Sequence, residues 1–174
     1  MPIPEFIVET RKKIGTDLMW VPSVCAVVLR DSTVDSPWAV PDVLLVRRAD
    51  NGQWTPVTGI VDPGEEPHVA AVREVLEETG VKVTAAAIVG VGSHGPVTHS
   101  NGDQASYMTV QIRCEPLDPS VEPAVGDDEN TEAGWFPVSQ MPVTDPKWRL
   151  AIGDAAAQRR HPGSFAPRMG LSRR

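Results

Sequence analysis

The chain has 174 residues, a formal net charge of −7 and two cysteines. This length suits one domain with a substantial core, and no apolar run approaches the ~20 residues that a transmembrane helix needs. The acidic balance argues against nucleic-acid binding, which needs a basic face, and two cysteines in apolar runs make neither a disulfide framework nor a zinc site. We therefore expect a cytoplasmic protein that contacts neither nucleic acid nor membrane.

The first third of the chain predicts a short helix followed by strands. Residues Pro4 to Lys13 predict a helix, although the same N-terminal extension could form a strand that crosses to a partner subunit, which leaves a homodimer open. The β-branched runs Val21 to Arg30 and Val43 to Arg47 predict two strands that pair as a hairpin. The pair Asn51-Gly52 favours a tight turn, and Trp54 to Val57 predicts a short extended segment.

The rest of the chain predicts two further helices and three strands. The helices are expected over about Glu65 to Thr79 and about Pro146 to Arg160, and the strands over Val81 to Val91, Ala105 to Cys114 and Ala133 to Val138. Residues 92–103 predict a long polar loop, and residues 164–174 a disordered tail. The expected order is β-β-β-α-β-β-β-α, in a single domain over residues 1–163.

The first of these two helices carries a dense set of carboxylates. At 3.6 residues per turn, Glu74, Glu77 and Glu78 share an arc of about 100°. Arg73 lies at the edge of this arc. The face expected to pack on the core carries Val69, Val72, Val75, Leu76 and Thr79. Like charges at this spacing destabilise a helix by about 0.2–0.5 kcal/mol per pair, so the pattern predicts a cation that offsets the repulsion.

Residues 59–81, GIVDPGEEPHVAAVREVLEETGV, place fixed residue types at fixed offsets. They resemble the Nudix box, G-x5-E-x7-R-E-U-x-E-E-x-G-U with U aliphatic, and every defined position is filled. The run REVLEETG alone is typical of a surface helix that ends at a glycine cap, but such a cap needs none of Gly59, Glu65 and Arg73. The resemblance implies the Nudix fold, an α+β architecture in which a mixed β-sheet lies between helices as an α/β/α sandwich.

The resemblance also implies a metal-dependent catalytic site. In the family the box glutamates bind metal or assist the attacking water, which points to Glu74, Glu77 and Glu78, and the arginine, here Arg73, orients a box glutamate. Mg²⁺ suits such oxygen ligands, with Mn²⁺ as an alternative. The carbonyl before the box glycine, here that of Thr58, often completes the metal shell. Relatives often have glycine at this position, and threonine does not readily adopt a positive φ, so the sequence departs from the common pattern here.

Several further candidates lie outside the box. Some family members use an acid from a later loop as a ligand or general base, and among Asp127, Asp128, Glu129 and Glu132 we choose Glu129, with a solvated acidic loop as the alternative. The candidate substrate-binding residues are Arg47, together with the adjacent Arg48, for phosphate, Trp54 and Tyr107 for stacking on a base, and His94 and His99 in the loop that shapes specificity in relatives. Each has a plain structural alternative as an exposed or packed side chain.

The expected reaction is Mg²⁺-dependent hydrolysis of a nucleoside diphosphate linked to another group, by water attack at phosphorus. Pro96 lies fifteen residues beyond Val81, near the position of a proline that marks ADP-ribose pyrophosphatases in the family, so an ADP-ribose or nucleotide-sugar substrate is favoured. The SQPWPFP sequence of NADH pyrophosphatases is absent. The alternatives are a MutT-type nucleoside triphosphate pyrophosphohydrolase and a non-catalytic nucleotide or ADP-ribose sensor. Sensors often lose box glutamates, and this chain keeps them all.

Overall fold

Eight strands and three α-helices make up the part of the chain that a computed structural model describes, residues 3–34, 39–99 and 101–170. The elements are α1 (Glu5–Ile14), β1 (Met19–Arg30), β2 (Asp42–Arg48), β3 (Trp54–Thr55), β4 (Val57–Ile60), α2 (Pro67–Thr79), β5 (Val83–Thr98), β6 (Gln104–Pro116), β7 (Asn130–Pro137), α3 (Pro146–Arg160) and β8 (Arg168–Met169). A single 3₁₀ turn, Val138–Gln140, follows β7. None of the described helices is long and apolar enough to cross a bilayer.

The strands form one mixed sheet in which β1 is central. The order is β3-β2-β1-β6-β5-β8, with β4 also paired to β1 and β7 to β2. Strands β1 and β6 run parallel, whereas β1 pairs antiparallel with β4 in its middle, over Ser23 to Ala26, and with β2 only at its last two residues. The predicted β1–β2 pairing is therefore confirmed, although it spans only the pairs Leu29 with Val43 and Arg30 with Asp42.

Two apolar clusters pack on opposite faces of the sheet. Successive residues of a strand point to opposite faces, so alternate residues of β1 enter different clusters. Val24, Ala26 and Val28 pack with α2, whereas Cys25, Val27 and Leu29 pack with α3. This arrangement confirms the predicted α+β sandwich with a mixed sheet between helices.

The long polar loop predicted over residues 92–103 is wrong. Strand β5 continues to Thr98 and pairs with β6, so only residues 99–103 turn the chain, and residue 100 lies outside the described residues. The register shifts between His94 and Val97, at the positions of Gly95 and Pro96. Proline has no backbone N–H and is tolerated in a sheet where the ladder is interrupted. The polar composition therefore reflects exposure of this hairpin rather than a loop.

The C-terminal tail also differs from its prediction. Residues 164–170 were expected to be disordered, but Phe165 packs on the α3 cluster and β8 pairs with β5. Arg168 Nη2 donates to Asp154 Oδ1 of α3 at 2.9 Å. A two-residue strand and one ion pair leave no hydrophobic period in the sequence, which explains why the pattern pointed to disorder. Residues 171–174 of the same prediction lie outside the described residues.

Candidate active site

Helix α2 is rotated relative to its predicted orientation. Its buried residues are Ala70, Ala71, Glu74, Val75, Glu78 and Thr79, whereas Val69 and Leu76, expected on the packed face, are 47% and 43% exposed. The two alanines have small side chains, so the helix lies close to the sheet on the side that also carries Glu74 and Glu78. As a result, two carboxylates of the box are buried, with only 2% of Glu74 and 4% of Glu78 exposed.

Gly59 leaves the space into which the Glu74 side chain fits. A Cβ atom added to Gly59 would lie 1.9 Å from the carboxyl carbon of Glu74, a separation that real atoms do not adopt. The glycine is therefore required for clearance at this point. Thr58, the residue before it, lies in β4 opposite Cys25, and none of the described non-glycine residues has a positive φ. Threonine therefore takes the place of the family's glycine in regular strand geometry, without a positive φ.

Arg73 connects the loop before α2 to the carboxylates of the helix. Its guanidinium donates two hydrogen bonds to Glu65, at 2.9 and 2.8 Å, and a third to the carbonyl of Ile60 at 3.1 Å. Its Nη1 also donates to Glu74 at 2.9 Å and to Glu77 at 3.3 Å. These bonds from Arg73 lower the pKa of Glu65. One arginine thus holds three box glutamates in a fixed relation.

Glu78 is held from the other side of the site by the first residue of β7. The Asn130 amide donates from Nδ2 to Glu78 Oε2 at 2.8 Å, and both side chains are buried. The amide oxygen of Asn130 is also buried and has no hydrogen-bond partner among the described residues. The loop before β7 docks on the end of α2, because the N–H of Gly126 donates to the carbonyl of Glu78 at 2.9 Å.

Three of the candidate substrate contacts come together on the β5–β6 hairpin. The rings of His94 and Tyr107 stack with centroids 5.1 Å apart, and His99 Nε2 lies 2.8 Å from the Tyr107 hydroxyl. Burial lowers the pKa of His94 and raises that of Tyr107, so both rings are uncharged at neutral pH. Trp54 instead packs edge-on against Phe136 in the α3 cluster, with centroids 4.8 Å apart.

The two arginines at the end of β2 have different surroundings. Arg47 donates to Glu132 at 2.6 Å and to the carbonyl of Gly52 at 3.1 Å, on an exposed part of the surface. Arg48 pairs with Asp50, and its charge also interacts with Glu129 and Glu78. Adjacent strand residues point to opposite faces, so Arg48 rather than Arg47 belongs to the surroundings of the buried carboxylates.

A family model described as the NUDIX domain matches residues 19–157 of the chain. The chain belongs to the Nudix family. The match covers β1 to β7, α2 and most of α3; it begins after α1 and ends before β8.

Individual relatives carry several different activities in their names. A putative 8-oxo-dGTP diphosphatase of Bacillus subtilis is 51% identical over 49 residues, 28% of this chain and 33% of that protein. The NAD-capped RNA hydrolase NudC of Deinococcus radiodurans is 30% identical over 150 residues, 83% of this chain and 48% of that protein. The chain thus spans between a third and a half of the length of these relatives. The crystal structure of an ADP-ribose pyrophosphatase from Streptococcus suis superposes with a TM-score of 0.62 at 20% identity, covering 86% of this chain and 98% of that one.

The electrostatics of this Nudix site favour a cation. Burial raises the pKa of Glu74 to about 7 and that of Glu78 to about 8, and the neighbouring charge of Glu129 adds to both shifts. Among the described residues no three acidic, histidine or cysteine side chains converge as a preassembled metal centre. Mg²⁺ is often held by only one or two carboxylates together with substrate phosphates. An all-oxygen set of buried, mutually repelling carboxylates fits that mode of binding.

Two residues of this Nudix site could not be singled out from the sequence. Asn130 follows an acidic loop, and the charged residues of that loop were the candidates that the sequence favoured. Its contact with Glu78 joins residues 52 positions apart. Arg48 differs from Arg47 only in the face of β2 to which it points. The alternation of β2 could have separated the two, but the strand is buried on both faces over its first five residues, so no polar face marks the direction.

Proposed function

We propose that the chain is a Nudix hydrolase that cleaves a nucleoside diphosphate linked to another group, with an ADP-ribose or nucleotide-sugar type of substrate. The observation that carries this proposal is the single hydrogen-bonded unit formed by Arg73 with Glu65, Glu74 and Glu77. A helix that served packing alone would bury apolar side chains at the positions of Glu74 and Glu78.

The residues that would hold Mg²⁺ or Mn²⁺ are the carboxylates of Glu74, Glu77 and Glu78, together with the carbonyl of Thr58, whose neighbour Gly59 lies against the Glu74 carboxyl. When bound, such an ion neutralises the diphosphate, polarises its phosphorus and activates a water molecule. Glu77 is the exposed member of the three, with 43% of its side chain accessible, so it is the carboxylate that an arriving substrate meets first.

The chain's own groups would position the reacting atoms. Arg73 fixes the orientation of Glu74 and Glu77, and Asn130 fixes that of Glu78. Glu129 is our candidate for the general base, since its charge acts on both buried glutamates. Holding such groups in place before the reaction is how a site lowers a barrier through positioning.

The nucleoside end of the substrate is assigned to the hairpin side of the site. Tyr107 and His94 already form a stack of uncharged rings, which suits a base. The charge of Arg48 acts both on the buried Glu78 and on Tyr107, so one cation is close enough to influence both. A phosphate group in this position would face Arg48.

A MutT-type triphosphate pyrophosphohydrolase is the second candidate, supported by the Bacillus subtilis relative. A panel containing ADP-ribose, UDP-glucose, NADH, dATP and 8-oxo-dGTP, assayed with Mg²⁺ and with products identified by mass spectrometry, separates the candidates. We expect the highest kcat/KM on ADP-ribose or UDP-glucose, with a nucleoside monophosphate as product. A preference for a triphosphate, with release of pyrophosphate, would replace the proposal with the second candidate. Tight binding of one compound without turnover of any would favour the non-catalytic sensor.

A further inference from the structure

Helix α1 lies beside the candidate site although it precedes the residues that match the Nudix family model, which begin at position 19. A cavity of about 670 Å³ is bounded on one side by the start of α1 and on the other by α2, the loop before α2 and the loop before β7. The lining side chains that matter here are Glu5 and Phe6 of α1 and Asp62, Arg73, Glu77 and Asp127. This volume falls within the range of small-molecule pockets. The start of α1 therefore forms one wall of this solvent-open cavity at the site.

The C-terminal half of α1 is tied to the sheet by one arginine. The guanidinium of Arg11 donates to the carbonyls of Gly15, Asp17 and Gln104 at 3.1, 2.6 and 2.7 Å. Its Nε also lies 3.4 Å from Asp103, in the turn between β5 and β6. These contacts join α1 to the hairpin that carries Tyr107 and His94.

The first turns of α1 are held by apolar contacts. Ile7 is buried in a cluster with Val21 and Ala105, and Phe6 packs on the same cluster with part of its ring still accessible. Tyr107 packs on this cluster as well. Because both ends of α1 are anchored, Phe6 keeps a fixed position between the apolar cluster and the cavity.

The charges of the cavity decide which chemical group suits it. Besides Glu77, which the proposed function assigns to the metal ion, three carboxylates line it, from Glu5, Asp62 and Asp127. The guanidinium of Arg73 in the same wall already bonds three box glutamates. An ionised carboxylate only accepts hydrogen bonds, so it pairs with hydroxyl groups and repels an additional phosphate. An aromatic ring beside such acceptors offers an apolar surface. Together these features suit an uncharged moiety that carries several hydroxyl groups.

We propose that α1 is the specificity wall of the site, and that Phe6 and Glu5 bind the sugar on the far side of the cleaved diphosphate. This inference rests on the proposed function and deepens it, because it assigns the non-nucleoside half of the substrate to a segment outside the family core. A nucleoside triphosphate has no such group and would leave this wall unused.

The test compares ADP-ribose with ADP, which lacks the distal sugar and ends in a free phosphate. Steady-state kcat and KM for ADP-ribose, and the competitive inhibition constant of ADP, are measured for the wild type, Phe6→Ala, Phe6→Leu and Glu5→Gln. Val8→Ala is the matched control, because Val8 lies on the same helix, is 41% exposed and is absent from the cavity wall. Thermal unfolding of each variant checks that α1 stays folded, and Phe6→Leu preserves apolar packing if Phe6→Ala loosens it.

We expect Phe6→Ala to raise KM for ADP-ribose by about tenfold, the upper range of one aromatic contact, with kcat within about twofold of the wild type. The inhibition constant of ADP should stay unchanged in every variant. Equal weakening of ADP-ribose and ADP, or no weakening of either, would overturn the inference and leave the proposed function standing. If the wild type hydrolyses no diphosphate sugar at all, the proposed function fails, and this inference fails with it.

Discussion

Helices α2 and α3 pack on opposite faces of the same sheet, and each begins with a proline in its first turn. Helix α3 buries Trp148, Ala151, Ile152 and Ala155, and its one buried polar side chain, Gln158, accepts a hydrogen bond from Arg113 at 2.6 Å. Helix α2 buries Glu74 and Glu78 while Val69 and Leu76 stay exposed. Natural sequences break such packing rules mainly at functional sites. The contrast therefore supports the proposal that α2 serves chemistry, whereas α3 has the burial pattern of a helix that serves stability.

The largest expected effect comes from neutralising a buried carboxylate of α2. Glu78→Gln preserves the size of the side chain and its neighbour Asn130, so the fold should persist. We expect kcat to fall by about a hundredfold or more, because a metal site contributes several kcal/mol of charge stabilisation to the transition state. Steady-state rates on the best substrate of the panel measure this loss.

The matched control is Glu66→Gln, which neutralises an exposed carboxylate at the start of the same helix. This residue makes no side-chain capping hydrogen bond, so the control should keep wild-type rates and a wild-type Tm. Wild-type rates in Glu78→Gln itself would remove the catalytic assignment of the buried face.

The same substitution, glycine to alanine, should change the free energy of unfolding in opposite directions near the two helices. Gly59→Ala forces a methyl group against the Glu74 carboxyl, whereas in Gly153→Ala of α3 the new atom meets nothing within 4 Å. We expect Gly59→Ala to destabilise the fold by about 1–3 kcal/mol through overpacking. Gly153→Ala should stabilise it by about 0.5–1 kcal/mol through helix propensity.

Urea unfolding at one pH, with m values compared, measures both changes. Turnover should drop in Gly59→Ala beyond what its lost stability explains, since Glu74 must move, and should be unchanged in Gly153→Ala. Equal stability changes of the same sign at the two sites would contradict the distinction between the helices.

The smallest effect concerns pH. The folded-state pKa values of Glu74 and Glu78, about 7 and about 8, lie above the ordinary carboxyl value of 4.5. A group with a raised folded pKa contributes stability that is present below its unfolded pKa and is lost as pH rises through its folded pKa. The Tm of protein treated with EDTA should therefore fall between about pH 5 and pH 8 by a few degrees.

Two comparisons sharpen this prediction. Glu78→Gln should flatten the fall, because one of the two titrating groups is gone. Millimolar Mg²⁺ should raise the Tm of the wild type more at pH 8 than at pH 5, since the ion binds the ionised carboxylates of the folded state. A Tm that does not change with pH in EDTA would contradict the burial of these charges.

Much of the architecture followed from local pattern. The bounds of α3, Pro146–Arg160, and the helical state of α1 were predicted from caps, glycine and apolar spacing. The predicted end of β5 was too early because the exposed part of a hairpin has the composition of a loop. Strand β8 was not predicted because two residues are too few to show a period. The buried face of α2 was predicted wrongly because hydrophobicity favours Val69 and Leu76 for burial over Glu74 and Glu78.

The sequence by itself determined the chemical groups of the site, because the spacing of the box places Glu74, Glu77, Glu78 and Arg73 on one helical arc without reference to any other element. It did not determine which of these groups are buried, since that depends on how closely the alanines of α2 approach the sheet and on the clearance at Gly59. Only the tertiary structure brought Asn130 to Glu78 and α1 to the rim of the cavity. These contacts join residues far apart in the chain, and no local period encodes them.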